Sequence, residues 1–144
     1  DFDTIIISDY NKGSVSLDLI YKISAKHPQV FLDTKKQLTY DMHNVKFIKI
    51  NKHEETKSPR DVLTYLSDNL IVTTGKNGCR YKEEIYPVAQ VPVIDVTGAG
   101  DTFLAALAGE YTICKDIDRA IRTANLCATD VVQQLGTAVP KYHD

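Results

Sequence analysis

The spacing of apolar and polar residues along the chain alternates between the periods of strands and helices. Thr4 to Ser8 is a short unbroken run of β-branched residues, which predicts a parallel strand buried on both faces. Ser16 is placed to cap a helix carried by Leu17, Ile20 and Ile23, and His27-Pro28 stops it. Gln29 to Asp33 and Lys46 to Ile50 predict two further strands, separated by a polar stretch with Tyr40, Asp41 and Asn44. Pro59 opens a helix to Leu66, and Leu70 to Thr74 reads as the next strand.

Beyond Gly75-Lys76-Asn77-Gly78 the period falls to two. Cys79-Arg80-Tyr81 and Ile85-Tyr86, around Lys82-Glu83-Glu84, predict an antiparallel hairpin. Pro87 and Pro92 bracket an extended passage into Val93-Ile94. Thr97-Gly98 then opens a helix to about Tyr111. A last helix starts at Asp116, carries an apolar stripe from Ile117 to Leu135, and ends at Gly136. Strands alternating with helices predict an α/β layer structure with a largely parallel sheet, whose ligands sit beyond the carboxyl ends of the strands.

Composition keeps this picture and narrows the function. The 144 residues are 43% hydrophobic and 25% charged, which suits an ordinary globular domain. A net charge of -2 gives no electrostatic footprint for nucleic acid or an anionic membrane surface. No apolar run approaches the roughly 20 residues that span a bilayer, and the first residues have no signal-peptide pattern, so a cytoplasmic location is expected. Cys79, Cys114 and Cys127 fall in no metal-ligand spacing and are expected as reduced, buried thiols; His27, His43, His53 and His143 also lack ligand spacing and are expected at the surface.

Four polar or glycine-rich points follow predicted strands: Asp9 to Gly13, Asn51 to Glu54, Thr73 to Gly78, and Asp95 to Asp101. In a parallel sheet they share one rim. In Gly98-Ala99-Gly100-Asp101 the small residues allow close backbone approach, and the helix start turns unpaired N–H groups toward an anion. Asp101 falls in the first helical turn, where the dipole favours a carboxylate that can accept a proton from a hydroxyl. Oxyanion donors beside a positioned base are what phosphoryl transfer needs. The alternative is a tight turn with a helix cap. No G-x-x-x-x-G-K-[ST] loop occurs, and the G-x-G lacks the third glycine of a dinucleotide fingerprint.

Asp95-Val96-Thr97-Gly98-Ala99-Gly100-Asp101-Thr102-Phe103 resembles the C-terminal signature of the ribokinase-like (PfkB) carbohydrate kinases. Ser8-Asp9-Tyr10-Asn11-Lys12-Gly13, Asp33-Thr34-Lys35 and Leu135-Gly136-Thr137-Ala138 resemble motifs of the members that phosphorylate heptose 7-phosphate at C1, a step toward bacterial surface polysaccharides. Asn11 stands where those motifs have glycine, and Thr34 where they have proline.

The resemblance implies a ribokinase-like three-layer α/β/α fold with a mostly parallel sheet, of which this chain is the C-terminal, ATP-binding portion. The N-terminal sugar-binding half and lid are then absent. It implies ATP and Mg2+ as cofactors, with K+ as a further one, and a parent enzyme that is a homodimer acting on a sugar phosphate. Asp101 becomes the catalytic base, with the N–H groups of Gly98, Ala99 and Gly100 around the transferred phosphoryl group. Asn51 and Glu54 match an N-x-x-E that organises Mg2+ through water, which suits a cation that dehydrates reluctantly; the alternative for the pair is a helix cap with a solvated carboxylate. Thr73, Gly75 and Gly78 match a T-x-G-x-x-G along the nucleotide, the alternative being an ordinary loop into the hairpin; Asn51 borders the same nucleotide, and Asn125 lies by its adenine and ribose unless it is a structural helix residue. Asp95 resembles a residue of the monovalent-cation site. Lys12 and Lys35 follow strands and offer charge to phosphates, unless they are simply solvated.

Overall fold

The computed structural model describes residues 1–140; His143 and its expected surface position lie outside the described residues. Six strands form one sheet in chain order: β1 (Ile5–Asp9), β2 (Val30–Thr34), β3 (Phe47–Asn51), β4 (Leu70–Thr73), β5 (Cys79–Tyr81) and β6 (Glu84–Tyr86). β1 to β4 pair in parallel, in registers such as Ile7 with Leu32 and Ile50 with Val72, so their carboxyl ends lie on one edge. β5 turns back antiparallel on β4. The helices are α1 (Leu17–Lys26), α2 (Lys52–Lys57), α3 (Arg60–Tyr65), α4 (Ala99–Cys114) and α5 (Ile117–Val131).

The chain divides into two compact units, the first holding residues 1–75 and 79–85, the second residues 76–78 and 86 onward. In the first, the alternation of the pleat sorts the side chains. Val30, Leu32, Ile48, Ile50, Leu70 and Val72 join Ile20, Leu38, Met42 and Leu66 in one core. On the opposite face Phe31 and Phe47 pack with ring centroids 5.7 Å apart, and Phe47 meets the edge of Tyr81. β2 is buried throughout and β3 along all but Asn51, as parallel strands require. β1 departs from the expectation of burial on both faces: Ile6 is 47% exposed, because β1 is the sheet's outer strand.

α1 begins where expected, with the Ser16 hydroxyl accepting the Leu19 N–H at 3.1 Å. α2, unforeseen from periodicity, starts on a capping box: Asn51 Oδ1 accepts from Glu54 N and the Glu54 carboxylate accepts from Asn51 N, each at 2.8 Å. In the second unit α4 and α5 pack on each other, and Phe103, Leu104 and Leu107 of α4 and Ala120, Ile121 and Ala124 of α5 are buried. Small alanines on α5 let the helices approach closely. α4 runs three residues past its expected end, to Cys114, and α5 stops at Val131 rather than near Leu135. All three cysteines are free; Cys79 and Cys127 are buried, but Cys114 at the end of α4 is only half-buried.

Candidate functional site

In the first unit the carboxyl edge of the parallel strands carries a network of three carboxylates and three ammonium groups. Asp9, at the end of β1, is 4% exposed. Its Oδ1 accepts the Asn11 N–H at 2.8 Å; its Oδ2 accepts the Thr34 hydroxyl at 2.8 Å and faces Lys36 Nζ at 3.2 Å. Burial pushes the Asp9 carboxyl up, but the Asn11 N–H, the Thr34 hydroxyl and Lys36 together outweigh it and hold the group below its ordinary value.

Lys36 Nζ also donates to Asn11 Oδ1 at 2.8 Å, and Asn11 adopts a left-handed backbone with φ 57°. The position where glycine is the usual residue thus demands the left-handed region, which asparagine tolerates better than most side chains. Thr34 in the place of proline has its own use, since its hydroxyl reaches Asp9 and accepts the Lys36 N–H at 3.0 Å.

One strand over, the parallel register sets Asp33 directly beside Lys49, and Lys49 Nζ donates to Asp33 Oδ2 at 2.9 Å with both side chains buried. Lys35 Nζ donates to Glu54 Oε1 at 2.5 Å. Burial works against its positive charge, but the Glu54 hydrogen bond and the nearby Asp33 carboxylate raise the Lys35 pKa overall. Glu54 is 5% exposed and also accepts from Asn51 Nδ2 at 3.1 Å. Thr73 donates to Ile50 O at 3.3 Å, and Gly75 turns the chain with φ 61°. Lys12 is exposed. Asp9 to Gly13, Asp33 to Lys36, Asn51 to Glu54 and Thr73 to Gly75 therefore share one rim.

A single carboxylate and a neighbouring amide oxygen make a thin donor set, and among the described residues no group of three or more His, Cys, Asp or Glu converges as for a metal. That thinness fits Mg2+, which takes one or two carboxylates and fills the rest of its octahedron with water and phosphate oxygens. Glu54 Oε2, which accepts only the Asn51 N–H, retains a lone pair for it.

The glycine turn belongs to the second unit. Gly98 caps α4 in the left-handed region with φ 78°, and beyond the adjoining backbone no heavy atom of the described residues lies within 4 Å of where its Cβ would be. Backbone conformation thus disfavours a side chain here, and open space lies beside the turn. Asp101 sits three residues past the cap and is exposed. The Thr102 N–H closes the first helical bond to Gly98 O at 2.9 Å, and the Ala99 N–H turns back to Val96 O at 3.2 Å. Its use by an anion would require that bond to open.

Asp95 shapes the approach to the turn. Its Oδ1 accepts the Thr97 hydroxyl at 2.6 Å and the Thr97 N–H at 2.8 Å, and its Oδ2 accepts the Gly136 N–H at 3.0 Å. These donors hold the Asp95 carboxyl below its ordinary value. Gly78 has φ 88°, and a Cβ there would stand 1.9 Å from Tyr86 O. Asn125 is buried on α5 with Nδ2 donating to the same carbonyl at 3.1 Å, so its amide is engaged in packing the second unit. Sequence reasoning placed Asp9 on this rim without giving it a partner and missed Lys36 and Lys49; a lysine inside an otherwise buried strand was the available signal for the last.

Residues 17–143 match the model of the pfkB family carbohydrate kinases. Among curated proteins, the chain is similar to the "Bifunctional protein HldE" of Campylobacter curvus, 32% identical over 164 residues that span 99% of this chain and 35% of that protein. The protein of the same name from Aeromonas hydrophila is 32% identical across 94% of this chain and 33% of its own length. Among solved structures, the ribokinase of Thermotoga maritima superposes with a TM-score of 0.76 at 19% identity, over 93% of this chain and 52% of that one. The ribokinase of Arabidopsis thaliana, solved with ribose and ATP, gives 0.70 at 18% identity, over 94% of this chain and 51% of its own.

The chain belongs to the pfkB family of carbohydrate kinases and has the ribokinase-like α/β fold. It spans about a third of the length of these curated relatives and about half of these solved kinases.

Proposed function

We propose that this chain is the nucleotide-binding, C-terminal portion of a kinase that transfers the γ-phosphoryl group of ATP to a hydroxyl of a sugar or sugar phosphate, with heptose 7-phosphate as first choice. The observation that carries it is the left-handed Gly98 cap opening α4 with an exposed Asp101 in the first turn. Asp101 takes the proton of the acceptor hydroxyl as its oxygen attacks the γ-phosphorus, the bond from phosphorus to the ADP oxygen breaks, and ADP departs. The N–H groups at the start of α4 face the charge that gathers on the phosphoryl oxygens.

Thr73, Gly75 and Gly78 line the nucleotide, and Asn51 and Glu54 hold the water shell of Mg2+, which would neutralise phosphate charge. Asp95 shapes the turn and is a candidate for a K+ ligand. The heptose preference rests on Asp9-Tyr10-Asn11-Lys12-Gly13, on Asp33-Thr34-Lys35 and on the relatives named HldE. Those relatives are similar over only a third of their length, so ribose, fructose phosphate and adenosine stay in the acceptor panel. A second assignment, nucleotide binding without turnover, draws on the same short coverage.

The test is ADP formation with each acceptor in turn, using the chain together with whatever coding sequence precedes it in frame. Heptose 7-phosphate should give the highest kcat/KM, and the 144 residues alone should bind ATP weakly and turn over little. A higher kcat/KM with ribose would overturn the acceptor. No acceptor-dependent ADP with any of them would leave the non-catalytic assignment.

A further inference from the structure

The ion network on the rim contains an unbalanced acceptor. Asp33 is 5% exposed; its Oδ2 is taken by Lys49, but its Oδ1 is buried without a hydrogen bond among the described residues. A buried carboxylate oxygen left this way costs stability unless some state of the protein fills it. A second cation, Lys35, has its Nζ 4.0 Å from Asp33 Oδ1 and 2.5 Å from Glu54 Oε1. Lys35 is 37% exposed along its side chain, whereas Lys49 is 4% exposed and fixed. Lys35 therefore has two acceptors within a short swing of one flexible stem, one filled and one vacant.

We infer that Lys35 is a displaceable counter-ion: it neutralises Glu54 while no metal is present, and steps to Asp33 Oδ1 when a divalent cation takes over the Glu54 carboxylate. The inference rests on the assignment of Glu54 to Mg2+ above. Charge supports it. Asp33 and Glu54 against Lys35 and Lys49 sum to zero, so a divalent cation arriving alone would leave the cluster with two uncompensated positive charges. Arriving with the phosphates of ATP it would not. Lys35 thus makes metal binding depend on nucleotide, and the orphaned Asp33 oxygen is the position that receives the ammonium group. Lys35 is a positioning residue in this scheme, because it acts through Glu54.

Mn2+ bound to the whole chain, read by electron paramagnetic resonance with and without ADP, tests this apart from turnover. The wild type should take up Mn2+ well only with ADP. Lys35→Met, its fold checked by circular dichroism, should bind Mn2+ without nucleotide about tenfold more tightly, the scale set by removing one positive charge at a partly buried site. Lys35→Arg should restore the wild-type dependence, and adding Glu54→Gln to Lys35→Met should abolish the gain.

Unchanged or weaker nucleotide-free binding in a folded Lys35→Met would overturn the counter-ion role while leaving Glu54 at the metal. If Glu54→Gln alone leaves Mn2+ binding with ADP untouched, the metal assignment falls and takes the inference with it. Should Lys35→Met not fold, the Lys35 ammonium resonance of the 15N-labelled wild type decides. A shift on adding Mg2+ with ADP, absent with ADP alone, supports the step, and no shift contradicts it.

Discussion

Asp9 shows how one residue couples the rim to stability. Its folded-state pKa is depressed, so its contribution is fully present above the unfolded carboxylate value of about 3.9 and is lost as pH falls through the lower folded value. Urea unfolding should accordingly find Asp9→Asn less stable than wild type at pH 7, with the gap closing below pH of about 3.9. A gap independent of pH would show that the hydrogen bonds from the Asn11 N–H and the Thr34 hydroxyl, not the charge, account for Asp9. Gly78 is the second residue with a sharp expectation. Alanine there meets both a positive φ and the Tyr86 carbonyl, so Gly78→Ala should destabilise by about 1–3 kcal/mol in the same assay.

Two residues mark what the sequence concealed at this scale. Asn11 looks like a departure from a glycine motif, yet it occupies the left-handed backbone that the motif's glycine serves, and its amide takes Lys36 besides. Lys36 itself reads as a solvated loop lysine, because nothing local says that a carboxylate 27 positions earlier lies beside it.

At the scale of elements, β2, β3, β4, α1 and the cap of α5 were legible, because apolar period and capping residues are local signals. α2 was not: its six residues, Lys-His-Glu-Glu-Thr-Lys, carry no apolar stripe, and it exists through the Asn51–Glu54 box and its packing after β3. The same box fixes Glu54, and the Asn51-x-x-Glu54 spacing was readable as a helix cap even though the helix beyond it carried no apolar period. The turn between α4 and α5 yields a prediction. Lys115 ends α4 in the left-handed region with φ 56°, a cost that glycine avoids. Lys115→Gly should raise the urea midpoint, by about 0.5–1 kcal/mol of stability. A loss would mean that the Lys115 ammonium over the Tyr111 ring matters more than the backbone.

For the molecule as a whole, the short coverage of its relatives bears on β1. Its apolar run predicts a strand covered on both faces, but Ile6 is 47% exposed on the outermost strand of the sheet. An outer strand with exposed apolar residues is a template for association. Sedimentation of the 144 residues should therefore depend on concentration, and Ile6→Lys should reduce that dependence; identical behaviour would place the contact elsewhere. Among the described residues no helix is long and apolar enough to cross a membrane. The glycine turn and its aspartate were plain from sequence because their chemistry is local: a left-handed cap, a helix start and a carboxylate within four residues.

The central claim is that this turn supplies the base of a phosphoryl transfer. Its most direct test is Asp101→Asn in the acceptor-dependent assay, with ATP affinity measured on the same protein. The kcat should fall by about 10²–10⁴ with ATP affinity nearly unchanged. Wild-type turnover in that variant would contradict it.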